Sequence, residues 1–253
     1  MRIKSQFTRI IIILTILSGL SFVNTGYDIE GYGHNVNKYY QTPISSTLLK
    51  YAAFIEDEIQ RSRTVGAALT IVHRDQAVFT KTYGVRKAGT DNQVDNHTVF
   101  RLASVSKGFT GVLASILDQK KIVSLDQEIK EYIPDFNLKT KLNSQNLTLR
   151  NTLSHTSGLV PHAFDNLVEA DYSLPRIMKR LKEVNISAPP GRLYGYQNVV
   201  FSLIDTIAHQ VTHKNYEHLL QQHIFNPLGM QDASASFSGF RSSGNIAYPH
   251  IRT

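Results

Sequence analysis

The segment FRLASVSKGFT, Phe100 to Thr110, sets Ser104 and Lys107 three residues apart among apolar neighbours. On a helix, positions i and i+3 share a face and lie within side-chain reach. A serine hydroxyl is a weak nucleophile until a base takes its proton. A lysine amine is such a base where desolvation or nearby positive charge lowers its pKa. A helix start would also favour the negative charge that forms on the substrate oxygen. The same two residues fit a capping serine beside a solvated lysine. This is the one S-x-x-K in the chain, and an apolar helical pattern follows it directly.

A second group lies in PPGRLYGYQNVVFSLI. Pro189, Pro190 and Gly191 mark a turn, and Tyr196-Gln197-Asn198 leads into an apolar run. A phenol relays a proton where a neighbouring cation favours phenolate. A carboxamide donates and accepts at once, so Asn198 can hold a substrate amide and a lysine amine together. The plainer reading is a helix-capping Asn198 beside a half-buried Tyr196.

These residues need elements to position them. Ser46 opens a helical pattern through Leu49, Ala52, Ile55 and Ile59. AALTIVH and AVFTKTYG, separated by RDQ, read as a β-hairpin. From Ser104 a helix is expected to about Lys120, with Phe109, Val112, Leu113, Ile116 and Leu117 on its apolar face. Gly108 and Gly111 weaken its propensity, so packing must hold it. Further helices are expected in SLDQEIKEYIPDF, stopped by Pro134, in TLRNTLSHTSGL, ending at Gly158, in PRIMKRLKEV, in NVVFSLIDTIAHQVT, and from Asn215 through His223. The last 20 residues, rich in Ser and Gly, show no period. One helix, a hairpin and a long helical run make an α+β fold, in which a two-stranded sheet alone is marginal.

Composition narrows the function. The chain has 253 residues, 42% of them hydrophobic, enough for a sizeable core. It has no cysteine, which excludes disulfides, thiolate metal sites and a cysteine nucleophile. Residues 1–26 carry a basic start (Arg2, Lys4, Arg9) and an apolar run from Ile10 to Leu17, the layout of a signal peptide or an uncleaved N-terminal anchor. Residues 27–45 read as a polar leader. The net charge of +7 falls to +4 without residues 1–26 (24 basic less 20 acidic), with no long basic run, so nucleic-acid binding is not expected. His209 and His213 have a spacing that two metal ligands can use, but no H-E-x-x-H is present and His218 and His223 leave that face. They read as solvated or half-buried histidines, and no metal and no cofactor is expected.

In order and approximate spacing, RLASVSK, TLRNTLSHTSGL, PPGRLYGYQN and IFNPLGM resemble the serine β-lactamase and penicillin-binding-protein superfamily, and its class C branch most closely. The resemblance covers about residues 46–253. It implies an antiparallel sheet flanked by helices with a helical subdomain, and it implies roles. Ser104 would be the acylated nucleophile. Lys107 would assist its deprotonation, Tyr196 would act as base or proton relay, and Asn198 would bind the substrate amide and Lys107. The HTSGL segment, His155 to Leu159, would be structural support. The expected substrates are β-lactams, D-alanyl peptides of the peptidoglycan type or small esters, met in a periplasmic or secreted location. A membrane would be touched only through residues 1–26.

One family feature has no counterpart after Asn198: the K-T-G or H-x-G strand that binds the substrate carboxylate and completes the oxyanion hole. Lys87-Ala88-Gly89 is a loose match but precedes Ser104. The resemblance therefore implies a domain lacking its C-terminal strands. It leaves two expectations, an exported serine hydrolase or a truncated, inactive remnant or non-catalytic penicillin binder.

Overall fold

The computed structural model describes residues 43–251, so the expected signal or anchor at 1–26 lies outside the described residues, as does the leader apart from its last three residues. The core and the site described below belong to one compact unit that begins at Phe54. The first helix, α1 (Pro43–Arg61), begins three residues ahead of the expected Ser46. A proline suits a helix start, where its missing N–H would have no partner anyway.

The hairpin forms as expected. β1 (Gly66–His73) and β2 (Gln76–Gly84) pair antiparallel, with Gly66 opposite Gly84 and Thr70 opposite Thr80. The connecting Arg74 and Asp75 have φ of 47° and 64°. Two left-handed residues are what a two-residue hairpin turn needs to match the strand twist. Lys81 on β2 reaches Glu56 on α1 at 2.7 Å. Both side chains are largely exposed, so this pair guides orientation more than it stabilises.

The rest of the unit is helical, and the fold is α+β. A 3-10 turn (Ala103–Ser106) leads into α2 (Lys107–Gln119). Then follow α3 (Ile129–Tyr132), α4 (Lys141–Asn146), α5 (Leu149–Leu153), α6 (Asp165–Glu169), α7 (Leu174–Met178), α8 (Leu203–Thr212), α9 (Tyr216–Leu220) and α10 (Phe237–Ser242). α2 buries Thr110, Leu113, Ala114 and Leu117, and α8 buries Leu203, Ile204, Ile207 and Ala208. These two faces join Ile129, Leu149, Leu159, Ile177, Leu219 and Phe225 in one hydrophobic cluster. Burying one such side chain is worth about 1.5–3 kcal/mol, so the cluster is the main source of rigidity beneath the site.

Several expectations need correction. Val112 is exposed, so the apolar face of α2 is narrower than its sequence implies. The helix expected to end at Gly158 stops at Leu153, and the expected helix in PRIMKRLKEV breaks into α7 and a 3-10 turn at Leu181–Glu183. Residues 199–202 form turns rather than the first turn of α8. Three further helices, α4, α6 and α10, were not legible as periodic patterns. α4 and α10 each start at a local cap. Thr140 accepts from the Asn143 N–H at 3.2 Å, and Ser236 accepts from the Gly239 N–H at 3.0 Å. A cap of this kind contributes about 1 kcal/mol, which is substantial for a helix of one or two turns. Asn215 caps α9 as expected, accepting from the His218 N–H at 2.8 Å.

Two glycines predict opposite outcomes. Gly111 lies inside α2 with open space where a Cβ would sit. Gly111→Ala is expected to raise stability by about 0.5–1 kcal/mol. Gly158 has φ of +84°, and a Cβ there would collide with the Ala188 carbonyl oxygen. Gly158→Ala is expected to cost about 2–4 kcal/mol. Denaturant unfolding of the two variants against the parent chain checks both signs.

Candidate active site

The 3-10 turn settles the local geometry of Ser104. The serine stands one turn ahead of α2 instead of at its first residue, and it caps no helix. Ala103 enters the turn at φ of 46°, a left-handed value that a non-glycine residue takes only under constraint. In a 3-10 turn, positions i and i+3 eclipse one another. Lys107 accordingly donates from Nζ to Ser104 Oγ at 3.2 Å. Ser104 is exposed and Lys107 half-buried.

The other candidates arrive from more than 90 positions away in sequence. Tyr196 donates its hydroxyl to Ser104 Oγ at 2.8 Å. Lys107 Nζ donates to Asn198 Oδ1 at 2.9 Å. The ammonium also lies 5.1 Å from the centre of the Tyr196 ring and 5.2 Å from that of Phe201, close enough for cation–π attraction. The structure thus brings Ser104, Lys107, Tyr196 and Asn198 into one hydrogen-bonded group. The alternatives of a capping Ser104, a solvated Lys107 and a capping Asn198 do not describe it.

The HTSGL segment holds this group from behind. Gly191 and Gly195 donate their N–H groups to the carbonyls of Thr156 and His155, each at 2.8 Å. His155 Nδ1 accepts from the Gln197 N–H at 3.2 Å. The His155 ring lies 4.3 Å from that of Tyr196 and stacks on Phe201 at 5.3 Å. Burial, reinforced by the Lys107 charge, pushes the His155 pKa down, which favours the neutral ring whose Nδ1 accepts that bond. Gln197 is fully buried and donates to the Val160 carbonyl, fixing the backbone between Tyr196 and Asn198.

Two neighbours escaped the sequence reading. His162 donates its backbone N–H to the Tyr196 carbonyl at 2.8 Å, and its ring lies 5.3 Å from the tyrosine ring. Asp165 accepts from Asn198 Nδ2 at 2.9 Å. Neither stands in a motif or at a telling spacing, so no sequence signal marks them. His209 and His213 do not share a helix face, because His213 leaves α8 in a left-handed conformation with φ of 57°. Among the described residues, no group of three or more metal-ligating side chains gathers. Lys87 lies over the Tyr248 ring and the Ala88 N–H meets His250, so the loose K-A-G match makes its contacts with the C-terminal segment.

A serine held between an amine and a phenol, behind a stacked histidine, is an arrangement for moving one proton. The sequence matches the Beta-lactamase family over residues 51–239. The chain belongs to the beta-lactamase family. Its fold is that of the serine β-lactamases and penicillin-binding proteins, in the class C-like branch. Beta-lactamase-like protein 2 of Dictyostelium discoideum is 31% identical over 194 residues, which cover 72% of this chain and 35% of that protein. EstCE1, a hydrolase with promiscuous acyltransferase activity, superposes with a TM-score of 0.70 at 18% identity, over 81% of this chain and 57% of its own. The class C β-lactamase from Rhodobacter sphaeroides does so with a TM-score of 0.59 at 25% identity, over 70% of this chain and 48% of its own. The chain spans little more than a third of the length of the curated relatives it matches.

Within this beta-lactamase fold, the Tyr196 phenol has a pKa below its ordinary value. Burial pushes it up, but hydrogen bonding with Lys107 and Ser104 and the Lys107 charge outweigh that effect. The phenolate fraction at neutral pH is therefore larger than for a free tyrosine. Ultraviolet difference titration of the parent chain against Tyr196→Phe is expected to show a phenol ionising below the usual value of about 10. Lys107→Met is expected to move that transition upward, and an unmoved transition would break the assigned cause.

Proposed function

We propose that this chain is an exported serine hydrolase that works through an acyl-enzyme on Ser104. The observation that supports this most directly is the convergence of Lys107 Nζ and Tyr196 OH on Ser104 Oγ at 3.2 and 2.8 Å. The Ser104 proton passes to Tyr196 as its phenolate, or to Lys107 as its neutral amine, as Oγ attacks the substrate carbonyl and the C–O bond forms. The tetrahedral intermediate collapses, its C–N or C–O bond breaks, and the leaving group takes that proton. Water then attacks the ester on Ser104 by the reverse transfer. Either group fits the base, and both belong to one coupled network.

The substrate class is a small carbonyl compound with a good acyl group: a β-lactam, a D-alanyl peptide of the peptidoglycan type, or a small ester. The exposed Ser104 admits such a molecule without a deep cleft. Asn198, bound to Lys107 through Oδ1, is the group assigned in this reading to a substrate amide. The export part of the proposal rests on the basic and apolar layout of residues 1–26.

The test is intact-mass analysis of the purified chain after incubation with a penicillin and, separately, with p-nitrophenyl acetate. A single adduct is expected, absent from Ser104→Ala. Tyr196→Phe and Lys107→Ala are expected to slow its formation by about 10²–10⁴-fold, the usual worth of a positioned acid–base group. An adduct that persists without product release would make the chain a penicillin binder. A folded chain that forms no adduct would reduce the Ser104 cluster to a relic of the fold.

A further inference from the structure

The Asn198 amide has two ends, and the structure assigns each a different partner. Its Oδ1 accepts from Lys107 Nζ at 2.9 Å, and its Nδ2 donates to Asp165 Oδ2 at 2.9 Å. An ammonium offers only donors and a carboxylate only acceptors. Each neighbour therefore dictates the same amide orientation, and a flipped amide would face both with the wrong atom. We propose that Asp165 is a positioning residue: through the Asn198 amide it holds the carbonyl oxygen against Lys107 and so keeps the amine beside Ser104. This inference rests on the Ser104 reading above for its kinetic consequence only.

The surroundings of Asp165 argue that its carboxylate is there for this bond. The side chain is 23% exposed, its Oδ1 is buried, and no group among the described residues hydrogen-bonds to that atom. A buried carboxylate oxygen without a partner is a cost that an apolar residue would avoid. The backbone is strained on the approach as well. His162 and Phe164 have φ of 59° and 63°, and Asp165 follows immediately as the first residue of α6. Strain of about 1–3 kcal/mol per residue persists only where packing over-determines it. Here the Phe164 ring packs against the core cluster, with the Arg180 guanidinium 5.1 Å from its centre. His162 Nδ1 lies 2.9 Å from the same Asp165 Oδ2. The shared oxygen is thus gripped from both sides, by an exposed ring and by the Asn198 amide. Asp165 makes no hydrogen bond to Ser104, Lys107 or Tyr196; apart from its charge, which opposes ionisation of the Tyr196 phenol, its link to them runs through the Asn198 amide.

The primary test needs no activity. In ¹⁵N-labelled chain, the side-chain NH₂ signals of Asn198 are assigned by their loss in Asn198→Ala. In Asp165→Ala, those signals are expected to shift toward free-amide positions and to exchange with solvent at least about tenfold faster, as for a group released from a protected bond. Asp165→Asn keeps an acceptor and is expected to retain most of the protection. Asp165→Leu, near in size, serves in place of the alanine variant if that chain unfolds. Unchanged Asn198 signals in a folded Asp165→Ala or Asp165→Leu chain would overturn the proposal.

A kinetic cycle gives the second readout. Asp165→Ala is expected to slow Ser104 acylation by about 10- to 100-fold, the scale of a misplaced catalytic group. In an Asn198→Ala background the same change is expected to have less than about a twofold effect, because residues acting as one unit are not additive. Equal losses in both backgrounds would overturn the proposal and mark Asp165 as a general stabiliser. Absence of any adduct on the parent chain would count against the Ser104 hydrolase alone, since the amide signals still decide the role of Asp165.

Discussion

The half-buried ammonium of Lys107 is the constraint around which the rest of the site is arranged. Such a group has three donors and no acceptor, and withdrawing it from water is costly unless acceptors or aromatic faces replace the solvent. Ser104 Oγ and Asn198 Oδ1 take two of its directions, and the faces of Tyr196 and Phe201 lie within 5.2 Å of it. Each replacement has a consequence. The Asn198 carbonyl turned inward sends the amide nitrogen toward Asp165. The cation near Tyr196 holds the phenol below its ordinary pKa, and the same charge helps push His155 down. One charge therefore biases the protonation of two neighbours, alongside the effect of their burial.

Holding that charge in place requires two separate pieces of chain to meet at hydrogen-bond tolerance. Lys107 stands at the start of α2, whose inner face is packed into the core through Leu113, Ala114 and Leu117. Tyr196 and Asn198 stand on an irregular segment with no helical or strand bonds of its own. The HTSGL turn supplies them instead, through the carbonyls of His155 and Thr156 and the imidazole of His155. Left-handed residues cluster at these junctions: Ala103 before the serine, His155 in the turn, and His162 and Phe164 before Asp165. Irregular backbone of this kind is stable because the hydrophobic cluster beneath leaves it few alternatives.

The sequence carried much of this site because its parts are local. Ser104 and Lys107 are close enough for any helical turn to pair them, and the order of four short segments was enough to indicate the superfamily. The hairpin and the helices with long apolar stripes, α2 and α8, were legible for the same reason, since periodicity over ten or more residues reports a buried face. Of the short helices, α4, α6 and α10 were not. α4 and α10 depend on a single capping side chain each, and PRIMKRLKEV broke where charge patterning alone suggested continuity. Val112 shows the limit within a correct assignment: an apolar residue on the expected stripe faces solvent.

What the sequence determined by itself, then, was which side chains can do chemistry and the α+β class that carries them. Reactivity resides in functional groups and periodicity resides in nearest neighbours, and both are written locally. Tertiary structure alone decided that Ser104 sits in a 3-10 turn ahead of its helix, that the His155 ring stacks on Phe201 beside Tyr196, and that the Asn198 amide bridges Lys107 and Asp165. Those outcomes depend on contacts between segments far apart in the chain, where packing selects one arrangement among many that local preference permits.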